Sequence, residues 1–326
     1  MKFEWIDFYS EFATKLLLFK NDRKALIERI NDVYTAINMQ VPKLESGGDI
    51  IDIDPFTIFG LFNKGITNSN RIAIIRSIAN VFGIEAKVPN NFDGIPVLNN
   101  LKATFYAFKE DRKADDIDNI WNVFEAALRL ADNDTEQNRK EFSKWYDLVH
   151  DQRCIRWNIT MGLYWIRPYT YINLDSRNRW YISNVENMPA EFVDSIKKKI
   201  NKVPNATDYL FIKDACIKAL EVGSYEYKNY PELSYSAWIV SEQVNRQKAA
   251  ANGKKLSNAA FLRWFKPLIQ ALRDLGGSGT PAEARAKIVE NEQLSDEEVN
   301  AIRGKNNVNK FENEVAFARS YLVNAG

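Results

Sequence analysis

Apolar side chains in the first hundred residues recur at intervals of three and four, which is the spacing of an amphipathic helix. The first such helix is marked by Trp5, Phe8, Phe12, Leu16 and Phe19. A second helix is predicted from about 23 to 37. Asp54 can cap a third helix, because its carboxylate can accept from the first free amides and Pro55 suits the first turn. A fourth is predicted over 67–82, ending at Gly83.

The middle of the chain contains further helical periodicity and one segment of different character. Helices are predicted near 117–131, 135–149, 190–199 and 206–220. Residues 154–181 are dense in Trp, Tyr and Ile and contain few strong helix formers, so short strands and turns are predicted there. The expected fold class is therefore mainly α, with a small aromatic-rich strand and turn segment inside a helical N-terminal domain.

A polar, basic stretch at residues 242–257 interrupts the apolar pattern and contains almost no large side chains. This composition is typical of a linker or an exposed helix end. It predicts an N-terminal domain over 1–241, a linker over 242–257 and a C-terminal domain over 258–326.

The periodicity is regular from residue 258 onward. Two stretches, Thr280 to Glu283 and Ser295 to Glu298, have the pattern of a capping box. The apolar face of a last helix is formed by Phe311, Val315, Ala318 and Leu322. Helix-turn-helix and winged-helix domains begin with three short helices in this order, so a winged-helix-like module is predicted.

Composition narrows the possible chemistry. The 326-residue chain has a net charge of +1, so any nucleic-acid site must come from local clusters of Lys and Arg. Two cysteines, Cys154 and Cys216, suit a reducing compartment, and with the single His150 they are too few for a usual zinc site. No metal and no cofactor are expected. The chain has neither a signal-peptide pattern nor an apolar run of the ~18 residues that span a membrane, so we expect a cytoplasmic protein without a membrane partner.

Residues 258–326 resemble the N-terminal winged-helix domain of Mrr-type restriction proteins. The resemblance rests on the order of the helices, on LSDEE and on KFENEVAFARSYLVNAG. It implies that the last helix and the loop before it contact the major groove of DNA. The residues implied to contact DNA are Arg303, Lys305, Asn306, Asn307, Lys310, Asn313, Arg319 and Ser320.

The last helix departs from this resemblance at Glu314 and at the pair Val323 and Asn324, and it also carries the acidic Glu312. Glu314 stands where a basic residue is common, and both carboxylates are expected to weaken the attraction for phosphates. The chain ends at Gly326, where such a domain ordinarily continues into its wing hairpin. We therefore expect the domain to be truncated and an effector module, a nuclease or a motor, to follow.

Residues 1–240 resemble the leading region of McrB-like AAA ATPases, the DNA-recognising and nucleotide-driven subunits of modification-dependent restriction systems. The resemblance rests on IDIDPFTIFGLFNKG, FDGIPVLNN, IRWNITMGLYWIRPYTYINLDSRNRWYI and YPELSYSAW. The phosphate-binding motif G-x-x-x-x-G-K-[ST] is absent from the sequence. Hydrolysis of ATP or GTP by this chain is therefore not expected.

Rings and cations alternate in the aromatic segment. Aromatic side chains can stack on an extruded base, and Arg, Asn and Asp can bond to phosphates or base edges. The candidate base-recognition residues are Trp165, Tyr169, Tyr171, Asp175, Arg177, Asn178, Arg179 and Trp180. The alternative interpretation is that the rings fill a core and the polar residues hold a turn together.

These features predict a DNA-recognition module of a modification-dependent restriction or phage-defence system, without catalytic activity of its own. Its expected partner is double-stranded DNA, methylated DNA included. A scaffold that docks a partner nuclease or motor subunit is a first alternative. A metal-dependent nuclease is a second, because Glu226 and Lys228 form an E-x-K pair with Asp214 upstream. Such triplets also occur by chance.

Overall fold

The computed structural model describes residues 3–100, 103–223, 225, 227–251, 263–303 and 308–324. The chain divides into two compact units, Met1–Glu242 and Gln243–Gly326. The elements are α1 (Trp5–Leu17), α2 (Arg23–Ala36), α3 (Pro55–Gly60), α4 (Asn68–Phe82), α5 (Asp116–Asp132), α6 (Glu136–His150), α7 (Asn158–Ile166), α8 (Ser176–Ile182), α9 (Ala190–Ile196), α10 (Ala206–Val222), α11 (Tyr230–Ala251), α12 (Phe265–Asp274), α13 (Pro281–Glu292), α14 (Asp296–Asn300), β1 (Ile302–Arg303), β2 (Val308–Asn309) and α15 (Lys310–Asn324). The predicted mainly α fold is confirmed.

The strands predicted over 154–181 were wrong, because this segment forms α7 and α8 joined by turns. Every residue of α7 from Ile159 to Ile166 is buried. A helix that is apolar on all sides has no amphipathic periodicity, and its β-branched and aromatic residues then resemble those of a strand. Burial at the centre of the unit therefore overrode local propensity.

Glycine permits the close approach of α7 to α3. A Cβ at Gly162 would lie 2.6 Å from Cδ1 of Phe56 and 3.2 Å from Cε1 of Phe105. The first of these distances is shorter than real Cβ atoms show, so a side chain at this position would displace Phe56. Gly162 therefore sets the spacing between these two central helices.

The helix boundaries of α3 and α4 confirm the predicted caps. The carboxylate of Asp54 accepts from the amides of Phe56 at 2.8 Å and Thr57 at 3.0 Å. The hydroxyl of Thr57 donates to the same carboxylate and accepts from the amide of Phe105 at 2.9 Å. Helix α4 ends at Gly83, which adopts the left-handed conformation at φ 64° that glycine tolerates.

The C-terminal unit has its own small core. Among the described residues, its buried apolar side chains are Trp264, Leu268, Ala271, Ala284, Ile288, Phe311, Val315 and Ala318. Both predicted capping boxes are present, at Thr280 and at Ser295. The strands β1 and β2 pair antiparallel, with Arg303 opposite Val308 in the register. This hairpin stands immediately before α15.

The predicted linker falls partly on α11, which continues to Ala251. Residues 252–257 lie outside the described part of the chain. The domain limits 1–241 and 258–326 therefore stay predictions.

Candidate nucleic-acid interface

Helix α15 packs against the C-terminal unit with one face. Phe311, Val315 and Ala318 are buried, and Leu322 packs partly buried against them, as the periodicity predicted. The opposite face is open. Arg319 is exposed, and Lys310 and Asn313 are partly exposed.

Glu314 does not belong to the outward face of α15, and its expected effect on phosphate attraction stays a prediction. Its side chain is buried, and its Oε2 accepts from Nε1 of Trp264 at 2.9 Å. The guanidinium of Arg263 lies 3.5 Å from the same oxygen. Trp264 and Arg263 therefore hold this carboxylate in the core. Glu312 is exposed and lies 3.4 Å from Arg285.

The remaining predicted DNA contacts are Arg303, Lys305, Asn306, Asn307 and Ser320. Arg303 is the last residue of β1, and its pairing with Val308 leaves four residues between the two strands. Lys305, Asn306 and Asn307 lie outside the residues that the structure describes. Ser320 belongs to α15, one position after Arg319. The structure therefore places the described members of this set on one helix and the hairpin preceding it.

Two of the predicted base-recognition rings are core residues. Trp165 and Tyr171 are both fully buried. Nε1 of Trp165 donates to the carbonyl of Pro96 at 3.1 Å, and the hydroxyl of Tyr171 donates to the carbonyl of Ala127 at 2.7 Å. These contacts agree with the alternative interpretation that aromatic residues fill the core.

Other members of the predicted set reach the surface. Tyr169 is exposed, and Trp180 is exposed by about a third. The guanidinium of Arg179 lies 3.7 Å from the ring centroid of Trp157. This cation–π contact fixes the side chain of Arg179 against its own unit.

Three polar members of the set, Asp175, Arg177 and Asn178, line a common cavity of about 530 Å³. Asp175 caps α8 by accepting from the amide of Asn178 at 2.8 Å. Burial raises the pKa of the Asp175 carboxyl, against the lowering effect of that hydrogen bond. Nη2 of Arg177 donates to Glu242 at 2.7 Å. The first turn of α8 therefore brings both signs of charge to the cavity.

The opposite wall is the loop of residues 90–97, which buried side chains hold in place. Nε1 of Trp5 donates to the carbonyl of Asp93 at 3.1 Å. The carbonyl of Gly94 accepts from the hydroxyls of Ser234 at 3.0 Å and Tyr164 at 3.3 Å. Ser234 also accepts from Nδ2 of Asn178 at 3.1 Å, which connects the loop to α8.

Arg71 and Trp238 also line this cavity, and the sequence analysis did not single out either residue. Arg71 lies inside the predicted helix α4 and Trp238 inside α11. Arg71 belongs to none of the quoted motifs, and Trp238 is the last residue of YPELSYSAW, which was quoted for the resemblance and not as part of a site. Only the packing of α4, α8 and α11 around the loop brings them together.

The residues of the nuclease alternative are engaged in other interactions. The carboxylate of Asp214 accepts from Arg139 at 2.6 Å and lies 2.8 Å from Nζ of Lys213. Nζ of Lys228 donates to the carbonyl of Gly223 at 3.0 Å. Glu226 lies outside the described residues. Over the described ranges, no three His, Cys, Asp or Glu side chains form a group that could hold a metal ion.

A helix that spans a bilayer must be long and apolar, and the helices of the described part of the chain differ from this. None is both long and apolar enough to cross a membrane.

Comparison with known proteins assigns both parts of the chain. No curated protein and no solved structure matches it. Residues 261–326 match the Mrr N-terminal domain, so the Mrr-type resemblance of the C-terminal segment is confirmed. Residues 5–240 match a family described as a domain of unknown function, DUF8425. Because that match covers more than half of the chain, the chain belongs to the DUF8425 family.

Proposed function

We propose that this chain is a DNA-recognition module of a modification-dependent restriction system, without catalytic activity of its own. The observation that carries the proposal is the match of residues 261–326 to the Mrr N-terminal domain. The geometry of the C-terminal unit supports it, because α15 buries one face and leaves the other open.

The open face of α15 has suitable chemistry for a duplex. Arg319 can pair with phosphates or with the O6 and N7 acceptors of guanine, and Asn313 can bond to adenine. Lys310, at the first turn, adds a cation for phosphate contact. The inward position of Glu314 supports the proposal, because a buried carboxylate paired with Arg263 repels phosphates less than an exposed one.

The finer part of the proposal, dependence on DNA modification, rests on the N-terminal unit. Its sequence resembles the leading region of McrB-like AAA ATPases, which serve modification-dependent systems. The cavity lined by Asp175, Arg177 and Asn178 supports a recognition role for that unit. In this proposal α15 supplies duplex affinity and the N-terminal unit supplies selectivity.

The test is fluorescence anisotropy with matched duplexes, unmodified and methylated at cytosine or adenine, at two salt concentrations. We expect affinity that falls steeply with salt, because phosphate contacts release counterions. Arg319→Ala is expected to weaken binding by about 1–3 kcal/mol, and Lys305→Ala to weaken it as well. Arg273→Ala, an exposed arginine of α12, is the matched control and should leave the affinity unchanged. Unchanged affinity in both Arg319→Ala and Lys305→Ala would remove α15 and its loop from the interface.

One observation favours a second candidate, a scaffold that docks a partner subunit. Phe317 of α15 is 52% exposed, although large aromatic side chains are usually buried and are enriched at protein interfaces. The same titration separates the two candidates. Absence of binding to every duplex at low salt would favour the scaffold, and Phe317→Ala should then weaken partner binding.

A further inference from the structure

The cavity between the 90–97 loop and helices α4, α8 and α11 is lined by a buried cation. Arg71 is only 7% exposed and lines this cavity. Its Nε donates to the carbonyl of Phe62 at 2.8 Å, and its Nη2 donates to the carbonyl of Lys64 at 3.3 Å. Among the described residues, no Asp or Glu forms an ion pair with it.

A buried guanidinium in this state is costly. Arginine stays protonated in proteins, so the charge cannot be removed by titration. Burial lowers the pKa of Arg71, and the Coulombic effect of the neighbouring Tyr9 raises it. Carbonyl dipoles and the ring of Phe92, whose centroid lies 4.9 Å away, compensate the charge in part. An anion in the cavity would complete the compensation.

A second group at the cavity is the side-chain amide of Asn178. Asn178 is 2% exposed, and its Oδ1 accepts no hydrogen bond from the described residues, although its Nδ2 donates to Ser234. A buried amide oxygen without a donor is unusual in a native structure. Asn178 is therefore suited to accept a hydrogen bond from a ligand.

The cavity also offers an aromatic surface and a suitable size. The side chain of Trp238 is 39% exposed and lines the cavity. An indole in this state can stack on a planar ring. The volume of about 530 Å³ lies within the ~300–1,000 Å³ typical of small-molecule sites.

We propose that this cavity binds one nucleotide unit, with its phosphate at Arg71 and its base between Trp238 and the amide of Asn178. The charges favour a single phosphate over a polyphosphate, because Asp93 and Asp175 line the same cavity and would repel further negative charge. The inference concerns the N-terminal unit alone and does not require that α15 contacts DNA. The nucleotide unit is either free or part of a single strand.

Calorimetric titration of the full chain tests the proposal. The probes are the four 2′-deoxynucleoside 5′-monophosphates, each beside its nucleoside, and a ten-nucleotide single-stranded DNA. We expect at least one monophosphate, or the oligonucleotide, to bind. A bound monophosphate should bind at least tenfold more tightly than its nucleoside, since only the phosphate can pair with Arg71. Binding of the oligonucleotide without the monophosphates would identify a strand as the source of the ligand.

Three variants locate the site. Arg71→Gln is expected to abolish the preference for the phosphorylated ligand, while Arg76→Gln, an exposed arginine of the same helix, should preserve it. Because Arg71 also supports two backbone carbonyls, thermal unfolding must show that its variant is folded. Trp238→Ala removes a partly exposed ring and should weaken binding at least tenfold even if Arg71→Gln does not fold. The proposal is overturned if no probe binds, if monophosphate and nucleoside bind equally, or if Arg76→Gln and Arg71→Gln lose affinity alike.

Discussion

The buried indole nitrogens of the two units donate to different kinds of acceptor. In the N-terminal unit, Trp5, Trp121 and Trp165 each donate to a backbone carbonyl that is distant in sequence. In the C-terminal unit, Trp264 donates to the carboxylate of Glu314. An indole paired with a carbonyl fixes the path of the backbone that supplies the acceptor. An indole paired with a buried carboxylate instead links two side chains and adds a charge that must stay compensated.

We therefore expect mutations to destabilise the two units for different reasons. The N-terminal unit should depend on the volume and hydrogen bonds of its large rings. The C-terminal unit, whose described residues include a core of eight buried apolar side chains, should depend on individual polar contacts and helix caps. Four predictions test this contrast, in order of decreasing effect.

The largest effect is expected from Trp165→Ala. The substitution leaves a cavity in the core and removes the donor to Pro96. Deletion of a large buried ring lowers the free energy of unfolding by about 3–5 kcal/mol. Urea unfolding followed by circular dichroism measures the loss. Trp180→Ala, at a partly exposed ring, is the control and should change the free energy of unfolding by no more than about 0.5 kcal/mol. Equal effects would contradict the assignment of Trp165 to the core.

The next effect is a pH dependence from Asp54. Burial raises the pKa of its carboxyl from 3.8 to about 6, against the lowering effect of hydrogen bonds from Thr57 and Phe56. Because the folded protein then binds this proton more tightly than the unfolded chain, the contribution of Asp54 to stability falls as pH rises through this window. The loss approaches about 3 kcal/mol above pH 6.

Asp54→Asn checks the sign of this dependence. An asparagine keeps an oxygen for the cap but cannot ionise, so the variant should lose this decrease in unfolding free energy between pH 4 and 6. Asp49→Asn, at an exposed carboxyl, should retain it. A wild-type protein that becomes steadily more stable across this window, with an Asp54→Asn variant of the same slope, would contradict the prediction.

A smaller effect is expected from Glu314→Ala in the C-terminal unit. The substitution leaves the buried Nε1 of Trp264 without an acceptor, which costs about 1–3 kcal/mol. Hydrogen exchange of residues 263–303 measures the change within that unit. Glu312→Ala, on the exposed side of α15, should leave the exchange nearly unchanged. If both variants behaved alike, the inward orientation of Glu314 would be refuted.

The smallest effect is expected from the cap at Ser295. Ser295→Ala removes the acceptor for the amide of Glu298, and loss of an N-cap costs about 0.5–2 kcal/mol. Ser295→Asn restores an acceptor and should recover most of the loss. Exchange rates of the amides in α14 distinguish these outcomes, and a variant pair without any difference would exclude the cap as a source of stability.

The same contrast explains how much of the structure the sequence revealed. The helices α13 and α14 were predictable because their boundaries are encoded locally, in the capping boxes at Thr280 and Ser295. The helix α7 was not, because its neighbours in space bury all of its sides and leave no periodicity. For the candidate site, Asp175 and Asn178 were predicted because aromatic residues flank them in the sequence. Arg71 did not, since a cation within a helix usually faces solvent and its burial depends on distant contacts.

The 90–97 loop has a consequence for the relatives of this protein. Its carbonyls at Asp93, Gly94 and Pro96 accept hydrogen bonds from side chains of α1, α11 and α7, respectively. These bonds fix the position of each carbonyl relative to a helix. Surface loops ordinarily tolerate insertions and deletions. An inserted residue here would move at least one carbonyl away from a buried indole or hydroxyl. Members of the family should therefore hold the length of this loop constant and keep a glycine at position 94, where φ is 74°.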